Sequence, residues 1–158
     1  MARRLTVALA VTAIAVTALV SAASPVRAQG QPETTNLVAT GERFQPIGFS
    51  EDRAPRIGEA FVVAGSLYEW AGRKRGRRVG RFELHVIATS DLGGYQTGVG
   101  FLPGGQVLFA GFTPFADVPV ERQAVIGGTG RYVGVRGSVT VRGLPDGESS
   151  AVTLRLRR

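Results

Sequence analysis

Between Ala124 and Val141 the chain reads AVIGGTGRYVGVRGSVTV, and the alternation in its second half restricts what it can fold into. Val133, Val135, Val139 and Val141 fall on one side of a pleat. Gly134, Arg136, Ser138, Thr140 and Arg142 fall on the other, and Gly137 interrupts the valine side. A period of two fits a strand lying between two environments and does not fit a helix. The Gly127-Gly128-Thr129-Gly130 turn before it is not a phosphate loop: it lacks the Gly-Lys-Ser/Thr ending and the Rossmann glycine spacing, and no helix is predicted after it.

The same kind of segment recurs along the chain. Strands are predicted over 34–40, 57–70, 80–89, 95–101, 106–112, 122–126, 133–142 and 149–156. Turn signals separate them at Asp91–Gly94, Pro103–Gly105 and Leu144–Gly147. Gly41 to Pro55 reads as an irregular segment that wraps over a barrel end. Short, evenly spaced strands without an amphipathic helix mean a sandwich or an up-and-down barrel. An eight-stranded antiparallel up-and-down β-barrel is the expected fold, because closure removes edge strands and leaves room for side chains or one small ligand.

Residues 1–28 read as a signal peptide. Arg3 and Arg4 supply the positive start, Leu5–Val20 the apolar core and Val26-Arg27-Ala28 a small-residue cleavage site. The apolar run is short of the roughly 20 residues that a spanning helix needs. A secreted or periplasmic protein is therefore expected, with an uncleaved anchor as the alternative and the only expected membrane contact. Residues 29–33 read as a disordered lead-in, and 34–158 as one barrel domain. The chain has no cysteine. That excludes a lipid anchor on cysteine, thiol catalysis, cysteine-zinc sites and iron-sulfur clusters, and leaves packing to hold the fold.

The formal charge is +7, from 19 basic and 12 acidic residues. Without Arg3, Arg4 and Arg27 it becomes 16 against 12, or +4. Much of the excess lies in Gly72–Arg81 (GRKRGRRVGR), read as a solvated hairpin tip, with contact to an anionic envelope surface as the alternative. The run has no interleaved aromatic residues for stacking bases, so nucleic acid is not expected as a partner.

Gly127-Gly128-Thr129-Gly130-Arg131-Tyr132, followed by Arg136-Gly137, resembles the GGTG-basic-aromatic-x-x-x-Arg-Gly signature of dirigent proteins, and is similar to the corresponding segment of allene oxide cyclases. Arg56-Ile57-Gly58 ahead of a long apolar strand, and Gly80-Arg81-Phe82-Glu83 after the basic hairpin, are similar to the cyclase pattern. The resemblance covers about 55–156. It implies an eight-stranded barrel, often trimeric, with a hydrophobic cavity. Dirigent proteins steer the coupling or cyclisation of reactive phenolic intermediates, and allene oxide cyclases close an unstable fatty-acid epoxide. Both act chiefly by orientation. The chain departs from the pattern at two places. Arg131 stands where some dirigent proteins carry an aspartate, and the first strand, 34–40, has no carboxylate; Glu42 lies just beyond it.

Three residues are candidates for a catalytic group: Arg136 for anion or oxyanion stabilisation, and Glu83 or His85 for proton transfer. The resemblance implies that Arg136 projects into the cavity. Alternation alone equally allows the valine side to be the core and Arg136 to be solvated. His85 is the single histidine, so a Ser-His-Asp triad and a multi-histidine metal site are excluded. Glu69 and Glu83 can pair with hairpin arginines, and Tyr132 reads as a packing plug. No cofactor is implied. The expected function is a secreted barrel that binds a small apolar molecule, guides its stereoselective cyclisation or coupling, and forms a homotrimer. The alternative is a non-catalytic, lipocalin-like binding or envelope protein.

Overall fold

A computed structural model describes residues 31–72 and 74–158. The signal-peptide reading of 1–28 lies outside the described residues. The chain forms β1 (Glu33–Ile47), β2 (Ala60–Ala71), β3 (Lys74–Ser90), β4 (Gly93–Leu102), β5 (Gly105–Pro114), β6 (Glu121–Gly128), β7 (Arg136–Gly143) and β8 (Ser149–Arg157). Each strand pairs antiparallel with the next, and β8 returns to β1, so the sheet closes. This is the expected eight-stranded up-and-down barrel. A single 3-10 turn, Gly130–Tyr132, is the only helical element among the described residues.

Two segments depart from the sequence reading. Of the stretch from Gly41 to Pro55, only the part beyond Ile47 is irregular. β1 passes a bulge between Gly41 and Arg43 and stays paired with β2 as far as Ile47 opposite Ala60. The basic run is an exposed hairpin, as expected, but strand pairing reaches almost to its tip: residues from Lys74 onward belong to β3 and pair with the end of β2, Arg78 opposite Tyr68 and Arg75 opposite Trp70. Partners on β2 explain why arginines stay in a strand here. The Arg75 guanidinium lies 4.6 Å from the Tyr68 ring centre, and Arg77 donates to Glu69 at 2.7 Å. An arginine stem covers apolar surface while its head remains in water.

Cross-strand register fixes which side of each strand faces inward, since directly paired residues share a face. Val125, Gln123 and Glu121 of β6 lie opposite Gly137, Val139 and Val141 of β7, which lie opposite Leu156, Leu154 and Val152 of β8. The valine side of β7 is therefore the inner side, with Val139 buried. β7 begins only at Arg136, so Val133 does not join that face. It is 66% exposed, whereas Val135 is buried.

Tyr132 closes one end of the barrel. It is buried among Val107, Val135 and Leu156 in the core cluster, and its hydroxyl donates to the Pro103 carbonyl at 3.4 Å. Two glycine turns meet beneath it. Gly130, at φ +57°, lies against the backbone of Gly104, and the Thr129 hydroxyl accepts from the Gln106 amide at 3.1 Å. The signature turn is thus a backbone-to-backbone seam that seats the plug.

Gly137, the break in the valine side, has φ +152°, and a Cβ there would overlap the Arg155 carbonyl oxygen. Gly137→Val should lower unfolding free energy by more than about 3 kcal/mol, because left-handed strain adds to a clash with a paired strand. Urea unfolding followed by circular dichroism checks it, with Gly143→Val as the comparison. A Cβ at Gly143 meets nothing within 4 Å, and this change should cost far less.

A candidate binding site in the barrel lumen

The inner face encloses a cavity of about 290 Å³. Its wall is apolar and mostly aliphatic: Leu37 and Ala39 from β1, Val63 and Leu67 from β2, Phe82 and Leu84 from β3, Val107 and Phe109 from β5, Val139 and Val141 from β7, and Val152 and Leu154 from β8. Glycines set its width. Gly98 leaves the space that the Phe109 ring fills, while Gly41 and Gly100 open the wall directly. Glu121, Glu148 and Ser150 line the end opposite the Tyr132 plug. Glu148 is exposed there, so the cavity meets solvent at that end. The volume lies at the lower edge of the roughly 300–1,000 Å³ typical of ligand pockets.

One part of the wall is polar. Gln96 of β4, buried to 5% exposure, lies opposite Gly111 of β5. Gln123 of β6 packs its carboxamide over the same glycine. The Gln123 amide nitrogen donates to the Phe112 carbonyl at 3.1 Å and to the Glu121 carboxylate. Both partners are acceptors, which fixes the amide orientation and leaves Gln123 Oε1 buried without a hydrogen bond. Glu121 and Gln96 reach the cavity, and Gln123 holds Glu121 from behind. A carboxylate and a carboxamide on one wall of an aliphatic chamber can orient a ligand that carries one polar edge, and the carboxylate can accept a proton from it.

The three residues expected to carry catalysis lie elsewhere. Phe82 and Leu84 are the β3 positions lining the lumen, so Glu83 and His85 between and beyond them point outward. Glu83 sits 3.8 Å from Arg81, and His85 is exposed. Arg136 is exposed on the outer side of β7, and the inward arginine implied by the family resemblance is absent. Burying it in this lumen would have isolated a charge from water. Arg131 lies at the plug end, over the Tyr132 ring and 3.1 Å from Glu33. Glu42 is exposed within the β1 bulge. Gln96, Glu121 and Gln123 were missed. The available signal was parity, since Glu121 and Gln123 alternate in step with Val125.

Beside the open end, Phe44, Phe49, Phe61 and Phe115 form a ring cluster, with the Phe44 and Phe61 centres 5.3 Å apart. Arg53, whose guanidinium lies 5.4 Å from the Phe49 ring, grips both oxygens of Glu59 at 2.6 and 2.7 Å. The Arg53 hydrogen bonds, and then the Arg56 backbone N–H, lower the Glu59 carboxyl from 4.5 to about 2. Stability from this pair is therefore complete above about pH 4.5 and is lost as pH falls toward 2. Wild type should exceed Arg53→Ala in urea midpoint by most above that window, and the gap should shrink through it. A gap independent of pH would remove Glu59 from the explanation.

Closure, strand order and an apolar lumen plugged at one end define the class: this is the dirigent-like eight-stranded barrel fold. No protein-family profile matches the sequence, and no curated protein matches it. Solved structures match across most of the chain. A pyocyanin demethylase superposes with a TM-score of 0.64 at 19% identity, over 78% of this chain and 99% of that one. AbnU, an exo-specific intermolecular Diels-Alderase, gives 0.63 at 16%, over 82% and 100%. The pterocarpan synthase dirigent protein GePTS1 gives 0.56 at 12%, over 80% and 87%. At these identities the likeness establishes the fold.

Proposed function

We propose that the barrel is a container which takes one small apolar molecule into its lumen and guides that molecule's cyclisation or coupling. The observation that carries this reading is the aliphatic cavity of about 290 Å³, with Gln96 and Glu121 on one wall and an opening at one end. Confinement in a single conformation lowers the entropic part of a ring-closing barrier, and two polar groups suffice to choose the face. Two proteins of similar fold, a Diels-Alderase and a pterocarpan synthase dirigent protein, support the same kind of work. No cofactor is required for it. A plain carrier would need the walls but not Glu121.

Two further parts of the reading concern where and how the barrel works. Residues 1–28 have the composition of an export signal, so the container acts outside the cytoplasm. Its outer wall carries a row of apolar side chains, Ile87 opposite Tyr95 opposite Phe112, each about half exposed. Such a row suits association with further copies, as a homotrimer. Native mass spectrometry of protein purified from its own host tests all three at once. The expected spectrum shows a trimer, each chain lacking 1–28 and carrying an added small-molecule mass. A ligand-free barrel that also fails to take up a neutral apolar dye would overturn the container reading.

A further inference from the structure

A second feature lies on the outer wall, away from both the lumen and the apolar row. β6, β7 and β8 direct Arg122, Arg136, Arg142, Arg155 and Arg157 outward, all of them exposed. The other outward residues of this wall are mostly small or hydroxyl-bearing, among them Ser138, Thr140 and Thr153, with Ile126 half-exposed near the end of β6. No Asp or Glu points outward from β6, β7 or β8. None of the five arginines has a carboxylate side chain within ion-pair distance among the described residues, and residues 1–30 and Arg73 contain no Asp or Glu. At the plug end of this wall, Arg131 is the arginine that does pair, with Glu33.

The arrangement contradicts ordinary sheet chemistry. Arg136 lies directly opposite Arg157, and like charges facing each other across a ladder are destabilising. Arg155, two residues from Arg157, faces Ser138, two residues from Arg136, so three guanidinium groups crowd one corner. The basic hairpin behaves differently: Arg77 pairs with Glu69, Arg81 lies near Glu83, and Arg75 and Arg81 sit over Tyr68 and Phe101. Two of the hairpin's arginines thus have carboxylate neighbours, whereas none of the wall's five does.

We propose that the β6–β8 wall docks on an anionic phospholipid surface through the phosphates of its headgroups. Guanidinium groups bind phosphate in a bidentate fork, and several of them near a bilayer add their attractions. The shape favours a surface over a polymer. From Arg136 to Arg142 the patch runs about 20 Å along the strand, and it spans three strands in width. It has no aromatic side chain for stacking bases and no projecting helix or ribbon for a DNA groove. Docking in this way would bring a container for apolar molecules to the phase in which such molecules dissolve. The docking claim itself stands on the charges alone and does not depend on the lumen reading.

Vesicle co-sedimentation of the full chain tests it. The probes are phosphatidylcholine vesicles and vesicles of phosphatidylcholine with phosphatidylglycerol at roughly three to one, anionic enough to set up a surface potential. Wild type should partition onto the mixed vesicles at low salt, leave them at high salt, and ignore pure phosphatidylcholine. The triple variant Arg136→Gln/Arg155→Gln/Arg157→Gln should lose about a hundredfold, near fivefold per arginine. Arg75→Gln/Arg77→Gln should stay within about twofold of wild type. If circular dichroism shows the triple variant unfolded, Arg157→Gln alone reads the fivefold step. The proposal is overturned if wild type does not bind the mixed vesicles, or if the hairpin variant loses as much as the wall variant. Retention of duplex DNA without vesicle binding would overturn it too.

Discussion

Ala39→Trp should abolish uptake of a neutral apolar dye such as N-phenyl-1-naphthylamine while leaving the barrel folded. Ala39 lines the cavity from β1, between Leu67 of β2 and Ser150 of β8, so an indole at this position grows into empty space and not into packed neighbours. Overpacking costs about 1–3 kcal/mol when a core is already full. Here the added ring buries apolar surface in a void, and those terms oppose each other. The ligand, by contrast, loses the volume it occupies. Affinity should fall by at least about a hundredfold, near 2.7 kcal/mol. Fluorescence titration measures the loss, and unchanged far-ultraviolet circular dichroism confirms the fold. Thr89→Trp, on an exposed outward position of β3, should bind the dye as wild type does. If Ala39→Trp binds the dye normally, the dye sits on the outer wall and the lumen is not the site.

The contrast between those two positions also explains what could be read from residues alone. Strand number and closure were legible because a period of two is a local property, repeated eight times between turn residues. The phase of that period is not local. On β7 the alternation admits Arg136 inside or Val139 inside, and the choice is made by what β6 and β8 place opposite: Gln123 and Leu154 for Val139, against Arg157 for Arg136. A lumen of aliphatic groups accepts valines and rejects an unpaired guanidinium. The family resemblance pointed toward the arginine because the signature turn is shared. In this chain the turn seats the Tyr132 plug, a task of packing that requires no particular chemistry.

The candidate polar groups were hidden for a related reason. A lone Gln96 between glycines reads as an ordinary outward polar residue, and Glu121 reads as the polar start of a strand. Only closure turns both toward one chamber. The basic run was read correctly as a solvated hairpin, but not the partners of its arginines, which Tyr68, Glu69 and Phe101 supply within the sheet. The arginines that the sequence spreads over three strands, two residues or more apart, are the ones that closure gathers on a single wall.

Glu121→Leu should damage ligand orientation severely while the barrel stays at least as stable as before. The carboxylate is held by the Gln123 amide at the rim of an apolar chamber, and replacing it with an aliphatic group removes a charge that such a wall does not favour. Gln123 keeps its bond to the Phe112 carbonyl. The melting temperature should therefore not fall. A ligand edge that donates to the carboxylate loses a charge-assisted hydrogen bond worth about 1.5–3 kcal/mol, a loss of ten- to hundredfold or more in affinity or rate. Gln96→Leu removes a neutral partner, and its loss should be nearer fivefold, about 1 kcal/mol. Calorimetric titration with the molecule released from the purified protein compares the three proteins. The pattern to be expected is stability retained and recognition lost, which marks a residue kept for function at the expense of packing. Should Glu121→Leu bind that molecule as wild type does, the polar wall has no part in recognition, and the barrel is a container that holds its ligand by shape alone.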